Sequence, residues 1–448
     1  MNEYRYLIDR QRRVSGGPSA ESARLLVSLH GPDAHTWLGA LDVAERDLFR
    51  VGSAILGCDR LSSRNRDGQR WQRTIHLDLT LEEPARWRPH TELLAELLCF
   101  LTDDAWHLEF QHGSLPPQQP RLPLADFEPT GVALFSGGLD SAVGLLARSR
   151  SSTDQARQLL AVCIHGSTQQ RAHREKTFNH VVARGANAHF LPFHNALRKR
   201  DKTLVYEGTQ RSRCFFFLAA GAVAASQKRV PTVEVYEPGV GAINLPLCSG
   251  QVGAEATRAL HPRTLVLFNR LLAAVLDRPV RVIAPFLLHT KAELCRLAGQ
   301  DLATIAGHAI SCDEGERNKH DPSVHCGLCS SCLFRRIALH AVGHDPTKYR
   351  DQLSSRRSLY ELGLFGLQAR RLEQLRRFED LIDLDLDLDL DLDELRALVS
   401  DGPSPALRLE EELVTLFHRY ARETHAYLTE APPQPRPRAS QAQEEGRP

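Results

Sequence analysis

Residues 131 to 141 read Gly-Val-Ala-Leu-Phe-Ser-Gly-Gly-Leu-Asp-Ser, a pattern that could bind a phosphate group. The apolar residues 132–135 predict a buried strand, and a helix is predicted over 141–148. Glycine leaves no side chain between the backbone N–H groups and an anion. The helix start adds unpaired N–H groups and a partial positive charge. We therefore predict a phosphate-binding turn, with an ordinary glycine turn as the alternative.

The residue types in this turn exclude two better-known phosphate-binding motifs. The turn lacks the Gly-Lys-Ser/Thr ending of a Walker A loop and the third glycine of a dinucleotide-binding fingerprint. Ser-Gly-Gly-x-Asp-Ser instead resembles the PP-loop of the ATP pyrophosphatase superfamily. That resemblance implies cleavage of ATP between its α- and β-phosphates and adenylation of a substrate.

Four cysteines have the spacing of metal ligands. Cys326, Cys329 and Cys332 are each separated by two residues, and Cys312 lies fourteen positions before Cys326. Four thiolates in two arms suit a closed tetrahedral zinc site, which stabilises a loop that lacks a core. A redox pair, an iron–sulfur cluster and packing cysteines are the alternatives. Other residues could supply the fourth ligand in place of Cys312: Asp313, His320 or His325.

Composition limits the classes of function. The 448 residues include 56 Lys and Arg against 55 Asp and Glu, so no overall charge favours nucleic acid or a membrane surface. The apolar run 214–225 is too short to span a bilayer and predicts a buried helix. Without an apolar leader at residues 1–6, we expect a cytoplasmic protein with reduced thiols. The other cysteines are interpreted mostly as core residues: Cys58, Cys99, Cys163, Cys214, Cys248 and Cys295.

The central part of the chain alternates short β-rich runs with helical stretches. This alternation predicts an α/β fold with a parallel, doubly wound sheet, whose ligands lie beyond the carboxyl ends of its strands. Besides 132–135, the predicted strands are 159–164, 188–192, 232–236 and 280–284. The predicted helices are 174–184, 211–228, 257–276 and 291–297.

Five parts are predicted along the chain. They are an α+β domain (1–112), a proline-rich linker (113–129), an ATP-binding domain with the zinc loop (130–340), a helical extension (341–430) and a disordered tail (431–448). In the first part, 74–80 alternates like a strand and 90–101 predicts a helix. In the extension, Asp and Leu alternate over 383–393. This repeat is interpreted as a low-complexity insertion with a solvated acidic face, and a metal-binding ladder is the alternative.

Two further segments extend the resemblance to a family. Residues 312–336 contain Cys…His-Cys-Gly-x-Cys-x-x-Cys-x-x-Arg-Arg, and residues 284–294 are similar to a Pro-Phe…Lys-x-Glu segment. With the PP-loop, they resemble the 7-cyano-7-deazaguanine synthase family, QueC, over about 130–340. The resemblance implies an adenine nucleotide alpha hydrolase-like fold.

The resemblance also implies a reaction. The carboxylate of 7-carboxy-7-deazaguanine would attack the α-phosphate of ATP, and an amine would then form an amide, which the housekeeping enzyme dehydrates to a nitrile. ATP, Mg²⁺ and Zn²⁺ are the implied cofactors. Mg²⁺ would bridge the phosphates near Asp140, for which helix capping is the alternative.

The resemblance also implies the site residues. Lys291 would offset charge on the leaving group, unless it is a solvated helix lysine, and His165 would lie near the nucleotide, unless it is structural. Arg211 and Arg213 would face an anion or solvent, and 239–244 would line the deazapurine pocket. The candidate catalytic residues are Ser136, Asp140 and Lys291. The candidate nucleotide-binding residues are Ser136, Gly137, Gly138, Leu139, Asp140, Ser141 and His165.

The chain differs from the housekeeping enzyme of this family in two features. The chain adds segments before and after the family-like part, and its first cysteine stands further from the other three. In both features the chain resembles the QueC-like proteins of bacterial anti-phage systems such as Qat. That similarity implies a partner protein whose amine receives the activated deazapurine. Nitrile synthesis, a tRNA-modifying PP-loop enzyme and a non-catalytic scaffold are the alternatives, although nucleic acid is not the expected partner.

Overall fold

The computed structural model describes fourteen stretches of the chain. They are residues 2–8, 13–17, 25–28, 41–64, 71–114, 128–150, 157–194, 196–198, 207–209, 211–247, 258–314, 323–353, 355–399 and 408–430. Most of the predicted linker, 115–127, and the predicted tail, 431–448, lie outside the described residues. So do Cys248 and His320.

The described residues form eleven strands and fifteen α-helices. The N-terminal part contains β1 (Asn2–Ile8), β2 (Arg13–Gly17), β3 (Leu25–Ser28), α1 (Val43–Leu61), β4 (Arg73–Leu81), α2 (Pro84–Trp87), α3 (Thr91–Thr102) and β5 (Ala105–His112). The central part contains β6 (Gly131–Leu134), α4 (Leu139–Arg150), β7 (Leu159–His165), α5 (Thr168–Val182), β8 (Ala188–His194), β9 (Ala196–Arg198), α6 (Arg213–Gln227), β10 (Thr232–Glu234), α7 (Gly239–Ile243), α8 (Pro262–Val275), β11 (Arg281–Ile283), α9 (Lys291–Arg296), α10 (Leu302–His308) and α11 (Ser330–Ala341). The C-terminal part contains α12 (Arg356–Leu372), α13 (Phe378–Ile382), α14 (Leu392–Val399) and α15 (Leu409–Glu430).

The first sheet has the strand order β5–β4–β1–β2–β3–β9. The pairs β5–β4 and β4–β1 are parallel. The pairs β1–β2, β2–β3 and β3–β9 are antiparallel. The alternation over 74–80 is confirmed as β4, whose residues alternate between buried and half-buried. The helix predicted over 90–101 is confirmed as α3.

The second sheet has the strand order β11–β10–β6–β7–β8, with every neighbouring pair parallel. All five predicted strands are present, with ends that shift by one or two residues, and the four predicted helices correspond to α5, α6, α8 and α9. Alternate strand residues face opposite sides. Val132 packs into the core that contains α6, and Ala133 packs into the core that contains α4. The α/β prediction with a parallel sheet is therefore confirmed.

The N-terminal part packs directly on the central part. α1 lies against α6, where the Phe49 and Phe216 rings are 5.3 Å apart. A Cβ built at Gly52 would lie 3.2 Å from the Cβ of Ala219, so the two helices approach closely. One hydrophobic core therefore crosses the boundary that the sequence predicts between these two parts.

The apolar run 214–225 is confirmed as a buried helix, α6. Among the residues that the structure describes, no helix has both the length and the hydrophobicity needed to cross a membrane.

The interpretation of the Asp–Leu repeat as an insertion with a solvated acidic face is wrong in part. Leu388 is fully buried, and the chain forms a short 3₁₀ turn over Leu386–Leu388 before α14 begins. Asp385 lies 3.2 Å from the His261 ring nitrogen, and Asp387 accepts a hydrogen bond from Arg263 at 2.6 Å. Both carboxylates thus bind the start of α8, a long-range pairing that composition does not reveal.

Candidate active site

The predicted phosphate-binding turn connects β6 to α4. The backbone of Gly137 has φ of +79°, a left-handed conformation that side chains disfavour. A Cβ at this position would also lie 2.8 Å from Cγ of Arg174 on α5. Both the conformation and the close approach of Arg174 therefore require glycine at residue 137.

Two serine hydroxyls lie at this turn. The Oγ atoms of Ser136 and Ser141 are 3.1 Å apart, and the Ser141 hydroxyl donates to the Gly138 carbonyl at 3.0 Å. The Gly138 N–H points to the Ser136 hydroxyl at 3.3 Å. Ser136 is exposed, so its hydroxyl is accessible to a ligand.

Leu139 has a different environment from the rest of the turn. Its side chain is fully buried, and its backbone N–H donates to the Ser311 hydroxyl at 3.1 Å. The Gly137 carbonyl accepts from the Ile310 N–H at 3.2 Å. The segment that leads to Cys312 is therefore hydrogen-bonded to the turn, a long-range contact that the sequence did not predict.

A cleft opens beside the turn, where β6 and β7 end. Ser136 and Gly137 line one side, and Ser167, Gln170 and Arg174 around the start of α5 line the other. Ligands of parallel sheets bind beyond the carboxyl ends of the strands, and the cleft has this location. The glycine turn and the polar side chains among these residues suit a phosphate-bearing ligand.

Lys291, Asp140 and Glu237 lie close together beside the turn. The Lys291 ammonium donates to the Asp140 carboxylate, and these side chains are 15% and 13% exposed. Burial alone lowers the pKa of Lys291, but the carboxylates of Asp140 and Glu237 raise it above its ordinary value. Lys291 therefore remains charged at neutral pH.

Sequence reasoning did not identify Glu237. It follows β10, the neighbour of β6, so that both strands deliver a carboxylate to the same edge of the sheet. Burial raises the pKa of Glu237 to about 7, and the nearby Asp140 carboxylate adds to this effect. Its position three residues after a buried strand is the one signal that could have found it.

His165 lies at the carboxyl end of β7, as predicted. Its side chain is buried, and its ring centroid is 5.3 Å from that of His194 at the end of β8. Burial lowers the pKa of His165 to about 4, with a further contribution from His194. The imidazole is therefore neutral at pH 7, but it is not among the residues that line the cleft.

Arg211 and Arg213, which were predicted to face an anion or solvent, contact other protein side chains. Arg211 donates to Asp103 of the N-terminal part at 2.7 Å, and Arg213 stacks over the Phe217 ring at 5.5 Å. Neither interpretation, an anion contact or a solvated side chain, describes Arg211, which is 8% exposed. Residues 239–244 contain the buried helical turn α7, where a Cβ at Gly239 would overlap the Leu287 carbonyl at 1.8 Å.

The four predicted metal ligands lie together. The sulfur atoms of Cys312, Cys326, Cys329 and Cys332 are all within 4.8 Å of one another. Tetrahedral zinc with Zn–S bonds of about 2.3 Å needs sulfur atoms about 3.8 Å apart. Cys326 and Cys332 are 3.8 Å apart. The cluster is therefore compatible with zinc.

Of the alternative ligands, His325 and Asp313 are described by the structure and are not part of this cluster, whereas His320 lies outside the described residues. His325 is buried against Tyr349, with the two ring centroids 6.0 Å apart, and Asp313 accepts from the Ser331 hydroxyl at 2.9 Å. Hydrogen bonds from Cys329 and Cys332 lower the pKa of Cys312, which favours its thiolate. None of the other described cysteines forms a disulfide. Cys58, Cys163 and Cys295 are buried, and Cys99 is exposed.

Part of the chain matches a family model. Residues 261–343 match the model described as "Queuosine biosynthesis protein QueC". This range runs from α8 through α11 and includes Lys291 and the four clustered cysteines. The glycine turn lies outside it.

Several curated proteins are similar to parts of the chain. The 7-cyano-7-deazaguanine synthase of Methanothermobacter thermautotrophicus is 41% identical over 19% of this chain and 35% of its own length. The synthase of Rhizobium leguminosarum bv. trifolii is 36% identical over 20% and 37%. The chain thus spans about a third of the length of these two relatives.

A longer and more distant match extends the similarity. The 7-cyano-7-deazaguanine synthase of Methanothrix thermoacetophila is 27% identical over 49% of this chain and 98% of its own length. No solved structure matches the chain significantly. The family match and these relatives together show that the chain is similar to QueC proteins over part of its length.

Proposed function

We propose that the protein is an ATP-dependent synthase or ligase that activates the carboxylate of a 7-deazaguanine. This proposal rests mainly on one observation: Asp140, at the end of the glycine turn, forms an ion pair with Lys291. The similarity to QueC supports the choice of a deazaguanine substrate, and the turn supports the use of ATP. The PP-loop form of the fold is part of the same proposal.

The chemistry needs positioned charges rather than a protein nucleophile. The substrate carboxylate attacks the α-phosphorus, the α–β phosphoanhydride bond breaks, and pyrophosphate leaves with its electron pair. An amine then attacks the acyl-adenylate carbonyl and releases AMP and a proton. Groups that bind the developing charge stabilise such transition states strongly because they are already in place.

The residues at the turn have complementary roles in this scheme. The Ser136 and Ser141 hydroxyls and the N–H groups of the two glycines would bind the β- and γ-phosphates. Lys291 would neutralise charge as pyrophosphate leaves, which requires it to turn from Asp140 toward the phosphates. Bound Mg²⁺ supplies further charge neutralisation. Asp140 suits it because one carboxylate oxygen is buried without a hydrogen-bond partner among the described residues.

The four-cysteine cluster would hold a structural Zn²⁺. Such an ion crosslinks the loop that joins α10 to α11 and leaves no open position for a substrate. Its contribution to the reaction is indirect, since the segment before Cys312 contacts the turn through Ile310 and Ser311.

We further propose that the amine belongs to a partner protein, as in anti-phage systems related to QatC. The size of the chain supports this proposal, because the Methanothrix synthase aligns over 98% of its own length with only 49% of this chain. Nitrile synthesis is the second candidate. The alignment over almost the whole length of the Methanothrix synthase favours it.

The test uses the full-length protein with ATP, Mg²⁺ and 7-carboxy-7-deazaguanine. We expect release of pyrophosphate that depends on the carboxylate, and its loss in Ser136→Ala combined with Asp140→Ala. Glu410→Gln, which changes an exposed residue of α15, is the control and should release pyrophosphate like the native protein. Mass spectrometry then separates the two products: a free nitrile formed with ammonium supports nitrile synthesis, and a covalent adduct on a protein amine supports conjugation.

A further inference from the structure

The C-terminal helix α15 contacts the segment that carries Lys291. Glu423 accepts a hydrogen bond from the Thr290 hydroxyl at 2.7 Å. Arg419, one helical turn earlier, lies 2.9 Å from Glu293 and donates to the Leu288 carbonyl at 2.7 Å. Three residues that flank Lys291 are therefore held by one face of α15.

These contacts act on the start of α9. The Thr290 hydroxyl accepts from the Glu293 N–H at 3.1 Å, while the Glu293 carboxylate accepts from the Thr290 N–H at 2.8 Å. This reciprocal capping box fixes the first turn of the helix. Because the Thr290 hydroxyl donates its single proton to Glu423, the cap and α15 share one hydrogen-bond chain.

External support matters here because α9 has only six residues. A helix of that length is not stable alone, since its few internal hydrogen bonds do not offset the cost of nucleation. Lys291 also occupies the first position of the helix, where the partial positive charge of the helix disfavours a cation. The location of its ammonium group therefore depends on the cap and on Asp140.

The same helix contacts the second segment at the site. A Cβ at Gly239 would lie 2.6 Å from Cδ2 of Leu416, so α15 packs closely on the start of α7. Glu237 lies two residues before Gly239. α15 thus packs against both segments that place charged groups beside Asp140.

We infer that Glu423 and Arg419 are positioning residues for Lys291 and that the C-terminal helix is a working part of the active site. Both residues lie outside 261–343, the range that matches the QueC model. The inference rests on the proposed function for its kinetic readout. It assigns α15 a role separate from any docking of a partner protein.

The test compares pyrophosphate release by the full chain and its variants. Glu423→Ala should lower kcat by about ten- to a hundredfold with little change in the KM for ATP, because a misplaced Lys291 acts mainly on the departing pyrophosphate. Glu423→Gln, which keeps an acceptor for the Thr290 hydroxyl, should retain most of the rate. Glu410→Ala, exposed near the start of the same helix, is the matched control.

A double-mutant cycle decides whether the effect passes through Lys291. In a Lys291→Met background, Glu423→Ala should cause no further loss of kcat. An equal loss in both backgrounds, or native kcat in Glu423→Ala, overturns the inference. Absence of pyrophosphate release by the native protein refutes the proposed function instead.

Hydrogen exchange then tests the inference without a substrate. Glu423→Ala should speed exchange of the Glu293 and Leu294 amides, and Glu410→Ala should not. Unchanged exchange in Glu423→Ala contradicts the positioning role, whatever reaction the protein performs.

Discussion

Lys291 and Asp140 are 151 positions apart in the sequence and form an ion pair at the carboxyl edge of the second sheet. Asp140 lies in the first turn of α4, and Lys291 is the first residue of α9. The pair links the end of the glycine turn to the segment that matches QueC. In the proposed function, an incoming phosphate would replace Asp140 as the partner of Lys291.

The glycine turn gives the first prediction. Gly137→Ala should abolish measurable ATP binding, because the added Cβ lies against Arg174 and the left-handed backbone becomes strained. The matched control is Gly185→Ala, which has φ of +91° and no atom within 4 Å of its added Cβ. Both variants should lose about 1–2 kcal/mol of stability. Calorimetry should show native nucleotide affinity in Gly185→Ala, and equal affinities in the two variants would contradict this role for the turn.

The cysteine cluster predicts one zinc ion per chain. Cys329→Ser should lose most of the metal and lower Tm by several degrees, because the loop before α11 loses its crosslink. Elemental analysis and a thermal melt measure both effects. Cys99→Ser, an exposed thiol outside the cluster, should retain zinc and Tm. Purified native protein without zinc, whose melting does not respond to chelators, would exclude the metal.

Burial raises the pKa of Glu423 to about 7 from its ordinary value of 4.5. The carboxyl faces Thr290, Glu293, Arg296 and Arg419. Below pH 4.5 it is protonated in both the folded and the unfolded chain. As the pH rises to about 7, the unfolded chain releases the proton first, so the native protein loses stability across this window.

Glu423→Gln cannot ionise and should escape that loss. Its free energy of unfolding, measured with urea, should increase relative to that of the native protein by about 1 kcal/mol or more between pH 5 and pH 8. Glu410→Gln should show no such change relative to the native protein. If the free energies of unfolding of Glu423→Gln and the native protein differ by the same amount at pH 5 and pH 8, Glu423 does not titrate in this window.

The Asp–Leu segment contains a matched pair of leucines. Leu388 is fully buried and Leu386 is 75% exposed. Leu388→Ala should therefore cost about 2–4 kcal/mol of unfolding free energy, whereas Leu386→Ala should stay within about 0.5 kcal/mol of the native protein. Equal costs in a denaturant titration would favour the solvated insertion that the composition predicts.

Local sequence patterns predicted much of the fold. The glycines after an apolar run specify the turn after β6, because few residues other than glycine adopt the backbone of Gly137. The spacing of Cys326, Cys329 and Cys332 likewise identified the cluster, since ligands in one arm are close in the chain. Such features depend on neighbours within a few residues.

The remaining features depend on residues that are distant in the sequence. Glu237 reaches the site because β10 pairs with β6, and Glu423 reaches Thr290 because α15 folds back onto α9. Asp385 and Asp387 resembled a solvated repeat because their partners on α8 lie about 124 positions away. Hydrophobic periodicity does not identify a partner of this kind.

Attack on the α-phosphorus can be measured directly with a substrate carboxylate labelled with ¹⁸O. The proposed acyl-adenylate retains a bridging carboxylate oxygen, which leaves with AMP when the amine forms the amide. The full-length protein should therefore transfer one ¹⁸O atom to AMP in each turnover and none to pyrophosphate. Label in inorganic phosphate, or AMP without label, would contradict the proposed adenylation.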